Sequence, residues 1–110
     1  MAKRPVAIGR TWFASLDGER LACVHEHWLG PDGIYRDPNG TPGMRQFDEY
    51  VSVVRNCQKV ILTRSKIDDP VRGFGFHRKK YLSVLKVEDV QVNGNELTFR
   101  VVPGSQVTLQ

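Results

Sequence analysis

The stretch that decides the fold is Tyr81-Leu82-Ser83-Val84-Leu85-Lys86-Val87-Glu88-Asp89-Val90-Gln91-Val92-Asn93-Gly94. Its valines favour extended backbone, and Asn-Gly supplies the positive φ angles of a tight hairpin turn. Beyond that turn Leu97, Phe99 and Val101 recur at period two, the mark of a returning strand. Within the longer β-rich run Phe74–Val92 the apolar phase slips, from Leu82 and Val84 to Leu85 and Val87, then to Val90 and Val92. A slip in alternation moves side chains to the opposite face, so the strand must carry bulges or a sharp bend. The stretch therefore predicts a strongly curved, mainly antiparallel sheet.

Upstream, Val60-Ile61-Leu62-Thr63 reads as a short buried strand, and Ser65–Val71, with Asp68-Asp69-Pro70, as a turn. Downstream, Gln106–Leu109 is a short final strand. Near the start, Asp17-Gly18 separates two strand-like runs, Val6–Leu16 and Glu19–Trp28, and predicts a second tight hairpin. Alternation about that turn places Ile8, Arg10, Trp12, Ala14, Leu16, Leu21, Cys23, His25 and His27 on one face. Thr11, Phe13, Ala22, Val24, Glu26 and Trp28 fall on the other.

Leu29–Arg45 holds four of the ten glycines and three of the six prolines. Both residues interrupt helix and ladder, so this segment is expected to be a loop, either a binding loop or a surface excursion. Phe47–Gln58 is the one clear helix. Phe47, Tyr50, Val51, Val54 and Cys57 recur at the spacing of a single buried face, with Asp48 and Glu49 in the first turn and Arg55 and Lys59 near the end. The expected fold class is α+β: a curved, mainly antiparallel sheet, approaching a half-barrel, with one amphipathic helix packed on it.

With 110 residues, 40% of them hydrophobic and 25% charged, the chain fits a single α+β domain, 1–110. No apolar run approaches the ~20 residues of a membrane span, so no membrane association is expected. Nor does the start resemble a secretory signal. Two cysteines, Cys23 and Cys57, are too few for a disulfide scaffold, and reduced thiols in a cytoplasmic protein are the simpler expectation.

Charge is unevenly spread. Residues 50–87 carry nine basic side chains and two acidic ones, a balance of +7 against −3 for the rest of the chain. Such asymmetry suits a polyanionic partner, because clustered lysine and arginine steer phosphates and displace their counterions. The densest part is Arg72-Gly73-Phe74-Gly75-Phe76-His77-Arg78-Lys79-Lys80-Tyr81, where rings that stack on bases alternate with cations that track a backbone. A solvated basic edge strand that resists aggregation is the plainer alternative.

Arg72–Phe76 resembles the start of the RNP1 motif of RNA-recognition-motif domains. The resemblance ends there. His77 stands where valine is usual, Lys79 stands where the second stacking aromatic belongs, and no helix fits between this strand and the last one. The family is set aside and the stacking chemistry retained.

Cys23-Val24-His25-Glu26-His27 is the other suggestive cluster. On a strand, positions 23, 25 and 27 share a face, and Asp32 or Asp37 could add a carboxylate to make a two-histidine metal site. His25-x-His27 followed by Asp32 also resembles part of the first cupin motif, with aspartate in place of glutamate and no second motif. A metal-free pocket lined by Arg10, Trp12, His25 and His27 is the better use of this face. Serines lie in no nucleophile-elbow context, and no phosphate-binding glycine loop is present.

The expected function is a small non-catalytic cytoplasmic binding module whose basic region, residues 55–86, contacts nucleic acid or another acidic macromolecule. Arg64, Lys66, Arg72, Arg78, Lys79 and Lys80 would meet phosphates, with Phe74, Phe76 and Tyr81 as stacking surfaces. No catalytic residue, metal or cofactor is assigned. One alternative is a small-molecule-binding protein or small enzyme, possible metal dependence included, built on the Trp12, His25 and His27 pocket. Another is a self-associating structural protein, a homodimer formed through strand edges and an exposed Trp28 or Tyr35.

Overall fold

The computed structural model describes residues 5–7, 12–38, 40, 42–69 and 74–109, with side chains except at 7, 65–69 and 74–79. Asp17 and Gly18, both in the left-handed region (φ 53° and 77°), make the mirror-image turn that the sequence calls for. The turn joins β2 (Phe13–Leu16) to β3 (Glu19–His25), with Leu16 opposite Glu19 and Phe13 opposite Ala22. Alternation sorts the hairpin as expected: Ala14, Leu21 and Cys23 enter one apolar cluster, Phe13, Ala22 and Val24 the other.

Both arms of this hairpin are shorter than expected. The run Val6–Leu16 is two strands, because β1 (Val6–Ala7) pairs antiparallel with β2, Val6 opposite Ser15. The run Glu19–Trp28 stops at His25, where Glu26–Trp28 winds into one 3-10 turn closed by Leu29 N–H donating to the Glu26 carbonyl at 3.0 Å. That turn ends the strand alternation, yet His27 still lies beside His25 as expected, with ring centroids 5.9 Å apart.

The glycine- and proline-rich connection is not wholly a loop. It contains β4 (Ile34–Asp37). Gly33 at φ 80° turns the chain into it, and the Asp32 carboxylate accepts from Ile34 N–H at 3.1 Å. Punctuation on both sides hides so short a strand, and Tyr35 within it, expected as an exposed surface for self-association, is instead only 1% exposed because β4 packs it into the core against Phe99.

The helix α1 spans Arg45–Cys57, starting two residues before the expected Phe47. Phe47, Tyr50, Val51 and Val54 are buried as their spacing requires, and Val53 joins them. Gln58, in left-handed conformation, ends the helix by donating its N–H to the Val54 carbonyl at 3.0 Å.

After the helix come β5 (Lys59–Asp69), β6 (Phe74–Asn93), β7 (Glu96–Val101) and β8 (Val107–Thr108). Ser65–Asp69 was expected in a turn but belongs to β5, and Asp69 stands opposite Phe74. The two aspartates are poor strand formers, and cross-strand pairing with β6 overrides that local preference. The β6–β7 turn also lies one residue later than expected: Asn93 pairs with Glu96, and Gly94, at φ 62°, is the first of two turn residues.

Sheet order is β1-β2-β3-β5-β6-β7-β4, with β8 beside β6. Among the described strands all pairings are antiparallel except β3 with β5, which the connection through β4 and α1 makes parallel. β6 is the spine. It pairs with β5 as far as Lys86 and with β7 from Val87 onward, so one strand serves both halves of the curved sheet. It carries three register shifts, of which those at Leu82 and at Asp89–Val90 account for the slipping apolar phase. Leu82 is extra between Ser83 and Tyr81, Arg78 and Lys79 together face Ser65, and Asp89 and Val90 together face Phe99.

Two apolar clusters line the two faces. α1 packs on the larger one with Phe13, Val24, Tyr35, Val60, Leu62, Leu85, Leu97 and Phe99, while Ala14, Leu21, Cys23, Ile61 and Leu109 form the smaller. The fold is therefore α+β, an open curved sheet carrying one helix. No helix among the described residues is long and apolar enough to cross a membrane.

Candidate nucleic-acid interface

The basic region of the sequence coincides with the β5–β6 hairpin. β3 pairs with β5 from Ala22–Val60 to His25–Thr63, and β8 pairs with β6 at Ser83 and Val84. Farther out, β5 and β6 pair with each other through Arg64–Lys80, Lys66–His77, Ile67–Phe76 and Asp69–Phe74. Among the described residues no third strand accompanies them, so this part is a two-stranded ribbon rooted in the sheet.

The bulge opposite Ser65 places Arg78 and Lys79 together on the ribbon, one step out from the Arg64–Lys80 pair. Five of the expected basic contacts, Arg64, Lys66, Arg78, Lys79 and Lys80, thus fall within the first few register positions. Arg64 and Lys80 are exposed. Phe74 and Phe76 occupy the outer ribbon, and like Lys66, Arg78 and Lys79 they are placed here by backbone register alone. Arg72 lies outside the described residues.

Tyr81 is placed differently from those phenylalanines. It stands opposite Thr63 at the root, half-buried against the smaller apolar cluster, and burial there raises its hydroxyl pKa above 10.0. Its ring anchors the ribbon to the body.

Two cations of the basic region are matched by acids from β3 and the turn after it. Lys59 Nζ donates to Glu19 Oε1 at 2.8 Å. Arg64 Nε and Nη2 donate to the two carboxylate oxygens of Glu26, the latter at 3.2 Å. Hydrogen bonding to Arg64 is the main reason the Glu26 carboxyl titrates below its ordinary value. Sequence reasoning missed both partners, because the β3–β5 neighbourhood depends on a long parallel crossover that leaves no local signal.

The histidine face divides. His25 lies edge-on to Trp28 with ring centroids 5.1 Å apart, and His27 lies 4.4 Å from the same ring. Trp28 in turn meets Tyr35 edge-on at 6.4 Å. Trp12 belongs elsewhere, its ring edge-on to Tyr50 of the helix at 5.3 Å. Arg10, the fourth residue expected there, is outside the described residues. The organising residue is Trp28, which alternation had assigned to the opposite face and which the 3-10 turn brings round to the histidines. Among the described residues no three His, Cys, Asp or Glu side chains gather as metal ligands.

Comparison with models of known protein families, with curated proteins and with solved structures finds no match to this chain.

Proposed function

We propose that the protein is a nucleic-acid-binding module and that the β5–β6 ribbon is its contact element. The observation that carries this reading is the register of the ribbon. A bulge sets Arg78 and Lys79 side by side next to the Arg64–Lys80 pair, with Lys66 one position farther out. Clustered cations attract a polyanion, and releasing phosphate counterions supplies the driving force, although Arg64 is already matched by Glu26. Ribbon geometry favours this use over a buried role, since two strands without a covering layer cannot bury an apolar face of their own.

The experiment is fluorescence anisotropy with labelled oligonucleotides across a salt series, for the native chain and for a variant with Arg78, Lys79 and Lys80 replaced by glutamate. Each lost phosphate contact flattens the plot of log affinity against log salt by about 0.9 on duplex DNA. The variant should bind weakly and with a much shallower slope. Equal affinity and slope for the two proteins would remove the ribbon from the interface and leave its charge as protection of strand edges.

The reading around Trp12, His25 and His27 has less support, because Trp12 packs on α1 while the histidines pack on Trp28.

A further inference from the structure

Resting on that reading, we infer that the partner is a single strand and that one of its bases enters the cavity beside the root of the ribbon. This cavity, of about 350 Å³, opens between the connection that follows the 3-10 turn and the turn joining β7 to β8. Leu62 and Leu85 form its floor, Leu29, Val101 and Pro103 its walls, and Gln106 stands at the mouth. Its volume is within the range of small-ligand sites, and apolar walls with a few polar groups are what hold an extruded base. The charged side chains that line it are held by partners: Arg100 donates to Glu88 and Asp89, at 2.9 Å each, and Asp32 accepts from Arg36 at 3.0 Å. A flat neutral group therefore suits the interior better than an ion.

Cations for the phosphate stand on the same face. Arg64 follows Leu62 by two residues along β5, so alternation returns it to the face that carries the cavity, ~7 Å away at ~3.3 Å per residue. Lys80 lies opposite Arg64, whereas Tyr81, next to it, turns to the smaller apolar cluster behind the sheet. Both cations are exposed. A base resting on Leu62 thus leaves its own phosphate within reach of Lys80 and of Arg64, the latter in competition with Glu26. The Gln106 carboxamide, oriented by donating to Ser83 Oγ at 3.3 Å, is the group placed to meet the base edge. Joining cations for the backbone to a surface for the bases is how single strands are held. Duplex bases are paired and stacked, and extrusion costs least from a single strand.

The test uses the full chain and labelled strands of equal charge: a base-bearing single strand, in DNA and in RNA form, and the same backbone built from abasic units. The base-bearing strand, with whichever sugar, should bind about tenfold tighter than the abasic one at the same salt slope. Pro103→Trp, which sets an indole into the cavity, should remove that difference and leave the slope unchanged. The milder Gln106→Ala should reduce the difference by about threefold. Circular dichroism and the urea midpoint confirm the fold of each variant. Equal affinity for base-bearing and abasic strands, or a difference undiminished in both variants, would overturn base insertion and leave the nucleic-acid reading standing. So would a free nucleoside monophosphate that binds as tightly as the strand. Absence of binding to every strand at low salt would overturn both.

Discussion

Arg64 grips both carboxylate oxygens of Glu26 across the only parallel junction among the described strands, where His25 of β3 pairs with Thr63 of β5. A carboxylate held in this way occupies the guanidinium as a phosphate would. Glu26 is therefore a competitor built into the root of the ribbon, and its removal should release a cation. Glu26→Gln is expected to steepen the salt dependence of nucleic-acid binding by about one phosphate contact. Stability should change little, since exposed ion pairs contribute little to folding. An unchanged slope would show that Arg64 faces no phosphate. Because the folded-state pKa of Glu26 is depressed below 4.5, the pair's contribution is present above that value and is lost only as pH falls through the lowered one. Across the neutral range the competitor stays in place.

Two buried hydroxyls should set the alkaline limit of the fold. Tyr50 donates to the Cys23 carbonyl at 2.7 Å, tying α1 to β3, and Tyr35 accepts from His25 N–H at 3.3 Å while stacking on Phe99. Burial raises both pKa values above the usual 10.0, so both groups stay protonated in the folded chain where the unfolded chain ionises. Stability is then fully present below about pH 10 and declines above it, by about 1.4 kcal/mol per pH unit for each tyrosine. Tyr81 adds to the decline less strongly. Urea midpoints between neutral and alkaline pH should show this fall. Tyr50→Phe should lower stability by about 1 kcal/mol at neutral pH through the lost hydrogen bond and should also make the alkaline decline shallower. A decline as steep in Tyr50→Phe as in the native chain would mean that Tyr50 ionises freely.

Local patterns in the chain foretold local geometry. Asp17-Gly18 and the spacing of Phe47, Tyr50, Val51 and Val54 act over a few residues, and the turn and helix form where those residues require. The slipping phase of Leu82, Leu85 and Val90 likewise announced a bent strand, and the bulges lie beside Leu82 and Val90. Relations set by tertiary neighbours were not legible. Ser65–Asp69 reads as a turn until β6 is seen pairing beside it, and Ile34–Asp37 reads as loop until β7 lies against it. For the candidate site, the basic residues stood out in composition, but their order along a ribbon depends on a bulge that falls between Arg64 and Lys66. Trp28 and Glu26 were assigned by alternation, which the single 3-10 turn after His25 cancels.

The connection before α1 is held against the β6–β7 turn at Gly40, which donates its N–H to the Asn95 carbonyl at 2.7 Å. A Cβ at this position would lie 2.5 Å from that carbonyl oxygen and 2.7 Å from Cζ of Phe47, closer than such atoms can approach. The Phe47 ring can rotate away, but the Asn95 carbonyl is part of a two-residue turn and cannot yield without moving the hairpin. Gly40→Ala is therefore expected to destabilise the protein by about 1–3 kcal/mol through overpacking. Gly33→Ala is the informative comparison. Nothing lies within 4 Å of its would-be Cβ, and only its φ of 80° opposes a side chain, at roughly 1–2 kcal/mol. Combining Gly40→Ala with Phe47→Leu separates the two contacts: losses that add assign the clash to the Asn95 carbonyl, whereas a sub-additive loss assigns it to the ring. Denaturant midpoints for the single and double variants provide the measurement. A Gly40→Ala protein as stable as the native chain would show that the connection does not press on the turn at all.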